Sequence, residues 1–308
     1  MDLASGDLLA RKERADQALS RLDGITLMLP DPERFLYQYV RKEALLSSQI
    51  EGTQSSLADL LLYELSEAPG VPVDDVDRSA QVWVGGRTPA TAHFVPPPPD
   101  ALAALRGALE NYLHLPSEQA PPLIKAALAH VQFETIHPFK DGNGRLGRLL
   151  IALILCVEGV LREPSLYLSL YFKQHRAQYY ERLHAVRTQG EWEGWLGFFL
   201  DGVAETATQA VDTAQRLLAL LAADRARIGE LGARAGSVGL VFDQLARRVV
   251  LGVAQVRPHV AMSAPTIRSA ISTLAEMGIV NEMTGQRRHR VYVYRAYLEI
   301  LGEGAQPL

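Results

Sequence analysis

Cysteine is almost absent from this chain, since Cys156 is the only one among 308 residues. A single cysteine excludes an intramolecular disulfide and a metal site built from several cysteines, and this scarcity predicts a cytoplasmic protein. The chain also lacks a large excess of charge of either sign, since its formal net charge is −4. The chain as a whole therefore does not have the basic character of a protein that coats nucleic acid, although a local basic patch stays open.

Long apolar runs are missing too. The most apolar stretch, residues 149–160, falls well short of the roughly 20 residues of a membrane-spanning helix and predicts a buried helix. The N-terminal residues do not combine a basic start with an apolar core, so no secretory signal and no membrane partner are expected. Hydrophobic residues make up 48% of the sequence and charged residues 21%, which is ordinary for a globular protein. At ~150 residues per domain, the length suggests two domains.

Helical signals dominate the sequence up to about residue 231. The first clear helix has Asp31 as N-cap, Pro32 at its first position and apolar residues at helical spacing as far as Ile50, and Gly52 can end it. Further helices are predicted at 101–113, 122–136, 144–158, 172–187 and 192–231. This pattern predicts a mainly α fold.

Residues 78–100 have a different composition. Short β-prone pieces flank Gly85 and Gly86, and the proline run Pro96–Pro99 follows. The glycines favour a tight turn, and the prolines cannot donate backbone hydrogen bonds. The pattern predicts a small β-hairpin flap. Such a flap either serves as a docking edge for a target segment or is a plain surface hairpin.

After a break at Gly232–Gly236 the pattern changes again. One helix is followed by a second helix with Ser263 as its N-cap, and then by two strands around a glycine-containing turn, an order that resembles a winged helix-turn-helix domain. Arg268 on the second helix and the arginines of the wing, Arg287, Arg288 and Arg290, form a local basic patch. Such a patch suits DNA phosphate, and protein contacts are the alternative.

The stretch HPFKDGNGRLGR, residues 137–148, concentrates polar groups directly before an apolar helix. Gly142 and Gly144 let a ligand approach the backbone where that helix begins, and a helix N-terminus after a glycine-rich turn binds anions. Arg145 and Arg148 are three positions apart, so both project from one face of the first turn and each can bind a phosphate. These residues predict a polyphosphate site.

Two further side chains give this stretch its chemistry. Asp141 supplies a hard oxygen ligand that suits Mg²⁺. His137 is the residue type that takes a proton from a hydroxyl near neutral pH. The alternative is that the stretch is simply a turn between two helices, but such a turn needs neither the histidine nor the acid nor the two arginines at these offsets.

Residues 137–148 match, at every fixed position, the signature H-x-F-x-(D/E)-G-N-G-R-x-x-R, and the chain resembles the Fic-domain (Fic/Doc) family over most of its first 230 residues. The resemblance implies a Fic helical bundle that transfers AMP from ATP to a protein hydroxyl and releases pyrophosphate. It implies that His137 is the general base, that Asp141 binds Mg²⁺, and that Asn143 with nearby backbone amides holds the α-phosphate. It assigns Arg145 to the β-phosphate and Arg148 to the γ-phosphate. Glycines on both sides of Asn143 favour nucleotidyl transfer over the phosphoryl transfer of the Doc branch.

A second motif lies upstream, at SSQIEG, residues 47–52. Ser47 and Glu51 are four positions apart, so they share a face of a helix, and an exposed, solvated glutamate is the plain interpretation. The stretch also resembles the inhibitory motif (S/T)-x-x-x-E-(G/N) of Fic proteins, completed here by Gly52. That resemblance implies that Glu51 pairs with Arg148 and leaves the isolated enzyme mostly inactive. Whether Glu51 also positions a water for AMP removal stays open.

Tyr179 and Tyr180 are candidates for the adenine. Adjacent helical positions point in different directions, so at most one of them is expected to contact the base, and core packing is the alternative.

The expected organisation is an N-terminal region with the inhibitory helix and flap (1–100), a Fic catalytic core (101–231) and a winged-helix domain (232–308). The expected ligands are ATP and Mg²⁺, and the expected partner is a protein with a Tyr, Ser or Thr hydroxyl, self-modification included. DNA binding and a homodimer stay open. The alternatives to an AMP transferase are AMP removal, transfer of another phosphate-linked group, and a nucleotide-sensing DNA-binding regulator.

Overall fold

The computed structural model describes residues 6–28, 32–52, 54–65, 80–286 and 288–306. These residues form thirteen α-helices and one three-stranded antiparallel sheet, which confirms the mainly α prediction. The helices are α1 Gly6–Met28, α2 Pro32–Ile50, α3 Leu57–Leu65, α4 Leu102–Leu113, α5 Pro122–Ile136, α6 Asn143–Val157, α7 Ser169–Gln174, α8 Arg176–Gln189, α9 Trp192–Gly229, α10 Ala235–Arg248, α11 Val253–Val256, α12 Ala264–Glu276 and α13 Arg295–Leu301. The strands are β1 Val250–Leu251, β2 Val280–Glu282 and β3 Tyr292–Tyr294. None of the described helices combines the length and apolar character that crossing a membrane requires.

The predicted helix bounds agree closely with these elements. α5 has the predicted bounds, and α4 and α6 each start within one residue of the predicted start. The prediction of one helix over 172–187 is wrong, because His175 has φ −107° and ψ 34°, outside the helical region, and separates α7 from α8. Asp31, the predicted N-cap, lies outside the described residues, and α2 begins at Pro32 as predicted.

The long helix α9 supports the core of the first 230 residues. α1 packs along α9, and the first turns of α9 bury Trp195 and Phe199. The indole nitrogen of Trp195 donates to the carbonyl of Ala127 at 3.0 Å and so fixes α9 against α5. The ring of Phe172 stacks on that of Tyr179 at a centroid distance of 4.5 Å. Aromatic packing thereby holds α5 and α8 in place beside the loop that follows α5.

A buried lysine of α5 bonds to oxygens at the ends of α4 and α6. Lys125 donates to the carbonyls of Leu113 at 3.3 Å and Leu115 at 2.5 Å. It also pairs with Glu158 at the end of α6, and this hydrogen bond lowers the pKa of the Glu158 carboxyl. The buried Lys125 ammonium group is therefore compensated by three oxygens, two backbone carbonyls and one carboxylate.

Replacing Lys125 with Met is expected to lower the free energy of unfolding by about 3 kcal/mol, because removing one partner of a buried ion pair leaves the other charge uncompensated. Chemical denaturation measures this change. Lys12→Met is the control, since Lys12 forms a much more exposed pair with Asp16 at 2.7 Å and surface pairs contribute less than about 1 kcal/mol. Equal losses in the two variants would mean that the Lys125 pair does not stabilise the helix packing.

The flap predicted from residues 78–100 is smaller than a full hairpin. Within its described part, residues 80–100, one β-bridge joins Val84 to Phe94, with N–H to O distances of 2.8 and 3.2 Å. A short 3-10 turn at Pro89–Thr91 lies between them. Prolines on both sides of Phe94 limit the ladder, because they have no N–H to donate. The guanidinium of Arg187 lies over the Phe94 ring at 3.9 Å and fixes the flap to α8.

The C-terminal region begins where the sequence predicted a break. A 3-10 turn at Gly232–Arg234 separates α9 from α10, and the predicted N-cap is confirmed, since Ser263 Oγ accepts from the Thr266 N–H at 3.3 Å. The sheet has the order β1-β3-β2, with Val293 opposite both Val250 and Asn281. The winged-helix assignment stays a prediction.

The arginines predicted for the basic patch are placed in part. Arg268, Arg288 and Arg290 are exposed, and Arg287 lies outside the described residues.

Helix α2 is fixed by hydrogen bonds from the C-terminal region. The side-chain amide of Gln38 donates to the carbonyl of Arg247 at 3.2 Å, and that of Gln49 donates to the carbonyl of Ala305 at 3.0 Å. The amide oxygen of Gln49 accepts from Lys173 Nζ at 2.7 Å. These bonds place the C-terminal end of α2 against α7 and next to the start of α6.

Candidate active site

The loop between α5 and α6 begins and ends with residues in the left-handed region. His137 is the C-cap of α5 with φ 50°, and its N–H donates to the Phe133 carbonyl at 2.9 Å. Gly142 precedes α6 with φ 78°, a conformation that costs a glycine little. Pro138 disfavours a helical conformation for the residue before it, which is why α5 ends at this point. The predicted base therefore lies at a tight reversal directly before the loop.

Asn143 closes this loop with its side chain. Its Oδ1 accepts from the Phe139 N–H at 2.9 Å, and its Nδ2 donates to the Phe139 carbonyl at 2.9 Å. The side chain is buried. Both of its polar groups thus bond to the loop itself, so the N–H groups of the first turn of α6 are the donors available to an anion at this position.

The site has no room for a side chain at Gly144. A Cβ atom there would lie 2.5 Å from Glu51 Oε1 and 2.9 Å from Arg148 Nη1. Both distances are shorter than a normal contact. A side chain at Gly144 would therefore force the ends of the Glu51 and Arg148 side chains to move.

Arg148 is buried and binds the end of α2. Its Nε donates to Ser47 Oγ at 2.7 Å, and its Nη2 donates to the Ser47 carbonyl at 2.9 Å and to Glu51 Oε1 at 2.8 Å. Arg145 Nε lies 3.5 Å from Glu51 Oε2, and Arg145 Nη2 lies 3.3 Å from Asp141 Oδ2. The structure thus brings the predicted inhibitory pair, Ser47 and Glu51, together with both predicted phosphate arginines.

The turn after α2 directs Glu51 toward these arginines. α2 ends at Ile50, and the N–H groups of Glu51 and Gly52 donate to the carbonyls of Ser48 and Gln49 at 3.1 and 3.0 Å. Gly52 has φ 105°, which a side chain disfavours. Glu51 retains 31% exposure of its side chain. Its carboxylate therefore lies at the boundary between the buried Arg148 and solvent.

Arg148 and Glu134 shift each other's pKa values. Burial would lower the pKa of Arg148, but Tyr179, Glu134 and Glu51 raise it above its usual value. Burial raises the pKa of Glu134 to about 6, although Arg148 and Arg187 oppose the shift. The guanidinium of Arg148 consequently stays charged in a site that excludes most water.

The two candidate adenine residues occupy different environments. Tyr179 is 1% exposed and its hydroxyl hydrogen-bonds to His130 Nε2 at 2.9 Å, so its ring is part of the core and offers no face to a base. Tyr180 is 40% exposed, and the Arg176 guanidinium lies 5.3 Å from its ring centre. The prediction that at most one of them contacts adenine therefore points to Tyr180.

Replacing Tyr180 with Ala is expected to raise the ATP dissociation constant by about tenfold, because stacking of a base on an aromatic ring contributes about 1–3 kcal/mol. Titration calorimetry measures it. Tyr37→Ala, which removes an exposed tyrosine of α2, is the matched control and should leave ATP binding unchanged. Equal ATP affinity in the Tyr180 variant and the original protein would show that adenine binds elsewhere.

Three residues of the site were not found from the sequence. His130 is fully buried between the Gly147 carbonyl at 2.8 Å and Tyr179, and burial lowers its pKa to about 3, so it is neutral. Glu134 lies one turn further along α5, and Gly147 faces both of them. The signal available was a histidine and an acid at positions i and i+4 of the mainly apolar helix α5.

A histidine at a tight turn and two arginines at the glycine-rich start of the next helix are typical of helical proteins that bind phosphate groups. The family models identify the class more closely. Residues 9–81 match the model described as Fic/DOC family N-terminal, and residues 56–155 match the Fic/DOC family model. Taken together, residues 9–155 of this chain match the Fic/DOC family.

Curated relatives share the matched region. The chain is 37% identical over 132 residues to a protein named Protein adenylyltransferase Fic from Aedes aegypti, a match that covers 42% of this chain and 23% of that protein. It is 35% identical over 167 residues to the protein of the same name from Drosophila grimshawi, covering 52% of this chain and 31% of that protein. The chain thus spans less than a third of the length of these curated relatives.

Two solved structures resemble the chain. A Fic family protein from Desulfovibrio desulfuricans aligns over 96% of this chain and 90% of its own, with 21% identity and a TM-score of 0.41. A Fic domain containing signaling protein from Bacteroides thetaiotaomicron aligns over 66% of this chain and 97% of its own, with 18% identity and a TM-score of 0.47.

Proposed function

We propose that the protein transfers AMP from ATP to a protein hydroxyl and that Glu51 holds this activity low. The observation that carries the proposal is the contact between the end of α2 and the start of α6. Glu51 lies 2.8 Å from Arg148 Nη2 and 3.5 Å from Arg145 Nε, so one carboxylate engages both arginines that suit phosphate. The names of the curated relatives support the same activity.

The reaction assigns a role to each part of the loop. His137 takes the proton of the target hydroxyl, whose oxygen attacks the α-phosphorus of ATP. The bond between the α-phosphorus and the oxygen that bridges it to the β-phosphate breaks, which leaves AMP esterified to the target and releases pyrophosphate. N–H groups at the start of α6 stabilise the negative charge on the α-phosphate, and Arg145 and Arg148 bind the departing phosphates.

Asp141 fits a divalent cation. Its carboxylate is exposed and lies 3.3 Å from Arg145 Nη2 at the edge of the loop, so it can serve a site shared with phosphate oxygens. Mg²⁺ commonly binds to one or two carboxylates together with substrate phosphates and water. When bound, such an ion neutralises phosphate charge. The described residues contain no group of three or more acidic, histidine or cysteine side chains that could hold a metal by themselves, which agrees with a metal shared with ATP.

Labelled ATP tests the proposal. The Glu51→Gly variant is incubated with Mg²⁺ and with ATP labelled at either the α- or the γ-phosphate, and the protein is separated from nucleotide. Transfer of AMP predicts label on the protein from α-labelled ATP alone, with pyrophosphate released in equal amount. Label from γ-labelled ATP would instead identify a kinase. The protein itself and a lysate both serve as sources of the acceptor hydroxyl, which tests self-modification at the same time. If no label is bound in either sample while ATP binds, the nucleotide-sensing interpretation replaces the transferase.

AMP removal is a second candidate, favoured by the partial exposure of Glu51. A carboxylate that is 31% exposed beside the phosphate site can orient a water for attack on a phosphodiester. Protein that carries AMP is incubated with the Glu51→Gly variant or with the original protein. Loss of AMP only in the sample that contains Glu51 would support removal, and equal retention in both would exclude it.

A further inference from the structure

The contact with Glu51 supplies the counter-charge of the buried Arg148. Its Nε and Nη2 are held by Ser47 and Glu51, which lie on α2 and its last turn. Ser47 offers neutral oxygens, so Glu51 supplies the negative charge at hydrogen-bond distance. When Glu51 withdraws and before phosphate arrives, the guanidinium needs another counter-charge, because an uncompensated buried charge is strongly unfavourable.

Glu134 lies inside the protein beside Gly147, the residue before Arg148. It is 8% exposed, and its Oε1 accepts no hydrogen bond from the described residues. Among the same residues, no basic group pairs with it within 4 Å. A buried carboxylate oxygen without a hydrogen bond is unfavourable for the fold. The presence of Glu134 on α5, three residues before His137, therefore calls for a role in the site.

The neighbouring backbone makes room for this carboxylate. A Cβ atom at Gly147 would lie 2.5 Å from Glu134 Oε1, and Gly147 directly precedes Arg148 on α6. His130, the remaining polar neighbour, already bonds to the Gly147 carbonyl and to Tyr179. The carboxylate thus lies against the turn of α6 that carries Arg148.

The groups around Glu134 shift the pKa of its carboxyl in opposite directions. Arg148 and Arg187 favour its ionised form, whereas burial and Glu51 favour its protonated form. Arg187 is itself fixed, since its Nε donates to Thr135 Oγ1 at 3.2 Å and its guanidinium lies over Phe94 of the flap. Withdrawal of Glu51 removes a repulsive charge and so favours ionised Glu134 at the moment when Arg148 loses its other acid.

We propose that Glu134 is a positioning residue: its carboxylate offsets the buried charge of Arg148 and keeps the guanidinium oriented toward the terminal phosphate after Glu51 has withdrawn. Glu134 acts through Arg148 and does not itself touch the nucleotide. The proposal rests on the assignment of Arg148 to the γ-phosphate under the proposed function. It makes Arg148 a residue shared between two acids, one that blocks the site and one that supports it.

The test compares ATP with ADP, which lacks the phosphate that Arg148 is assigned to bind. In the Glu51→Gly background, titration calorimetry with Mg²⁺ is expected to show tighter binding of ATP than of ADP. Glu134→Gln keeps the shape of the side chain and removes its charge. We expect this substitution to reduce the preference for ATP by about tenfold, which corresponds to the loss of one charge-assisted contact. Glu110→Gln, which changes an exposed acid of α4, is the matched control and should leave the preference unchanged.

A double-mutant cycle shows whether Glu134 acts through Arg148. Arg148→Gln should also abolish the preference for ATP, and adding Glu134→Gln to it should change the preference no further. A merely structural role would weaken ATP and ADP binding alike. An unchanged preference in Glu134→Gln, or a further loss in the double variant, would overturn the proposal.

One further variant keeps the outcome decisive. Gly147→Ala displaces the same carboxylate from the α6 side and should lower the preference for ATP in the same way if Glu134→Gln does not fold. Because binding is measured and not AMP transfer, the two hypotheses fail separately. No preference for ATP in Glu51→Gly itself would contradict the γ-phosphate assignment, whereas a preference that survives the loss of the Glu134 charge would contradict this inference alone.

Discussion

The Glu51→Gly variant is expected to transfer AMP about 100-fold faster than the original protein. In the structure, Glu51 occupies Arg148 Nη2 at 2.8 Å and approaches Arg145 at 3.5 Å. ATP that cannot place its terminal phosphates on these arginines presents its α-phosphate badly for attack, and a misplacement of about 1 Å can cost about 100-fold in rate. Intact-mass spectrometry after incubation with ATP and Mg²⁺ measures the fraction of protein that carries AMP.

The substitution leaves the backbone of this turn intact. Glu51 lies in the turn after α2 and not inside the helix, so glycine does not break a helical hydrogen bond there. Gln54→Gly, in the same loop and exposed, is the matched control and should leave the fraction of modified protein low. Equal and low modification in both variants, with an acceptor protein present, would contradict the inhibitory role of Glu51.

The main features of the site were predictable because they lie within short stretches of sequence. The loop needs a proline, two glycines and a helix start within a dozen residues, and each of these imposes a local conformation. The pairing of Glu51 with Arg148 joins residues 97 positions apart, and spacing alone does not reveal such a contact. It was predicted through the resemblance of SSQIEG to an inhibitory motif.

The remaining features depend on packing that a linear pattern does not contain. Tyr179 and Tyr180 are equivalent in sequence, yet the rotation of α8 buries one against Phe172 and leaves the other exposed. The role of Glu134 was not visible because a single acid in an apolar helix resembles a solvated charge until its burial is known. The sequence shows the β-prone residues of the small flap but not how many of their N–H groups find partners, so its single β-bridge between Val84 and Phe94 was not predictable.

The loss of His137 is expected to have the largest effect on the chemical step. General-base catalysis contributes about 10²- to 10⁴-fold in rate, so we expect AMP transfer in the Glu51→Gly background to fall by about 1,000-fold. His137 has φ 50°, a conformation that Ala adopts only with strain and Asn tolerates better. His137→Asn is therefore the preferred substitution, because it removes the base and keeps the turn, and His137→Ala tests the same role at the cost of added strain.

The measurement separates chemistry from binding. The rate of AMP transfer is followed by intact-mass spectrometry, and ATP affinity by calorimetry on the same protein. Because the phosphate contacts are assigned to Arg145, Arg148 and the start of α6, the affinity of His137→Asn for ATP should match that of Glu51→Gly alone. A fall in rate with unchanged affinity assigns His137 to proton transfer. Weakened ATP binding of the same size as the fall in rate would instead assign His137 to holding the loop, and a different base would then have to be sought.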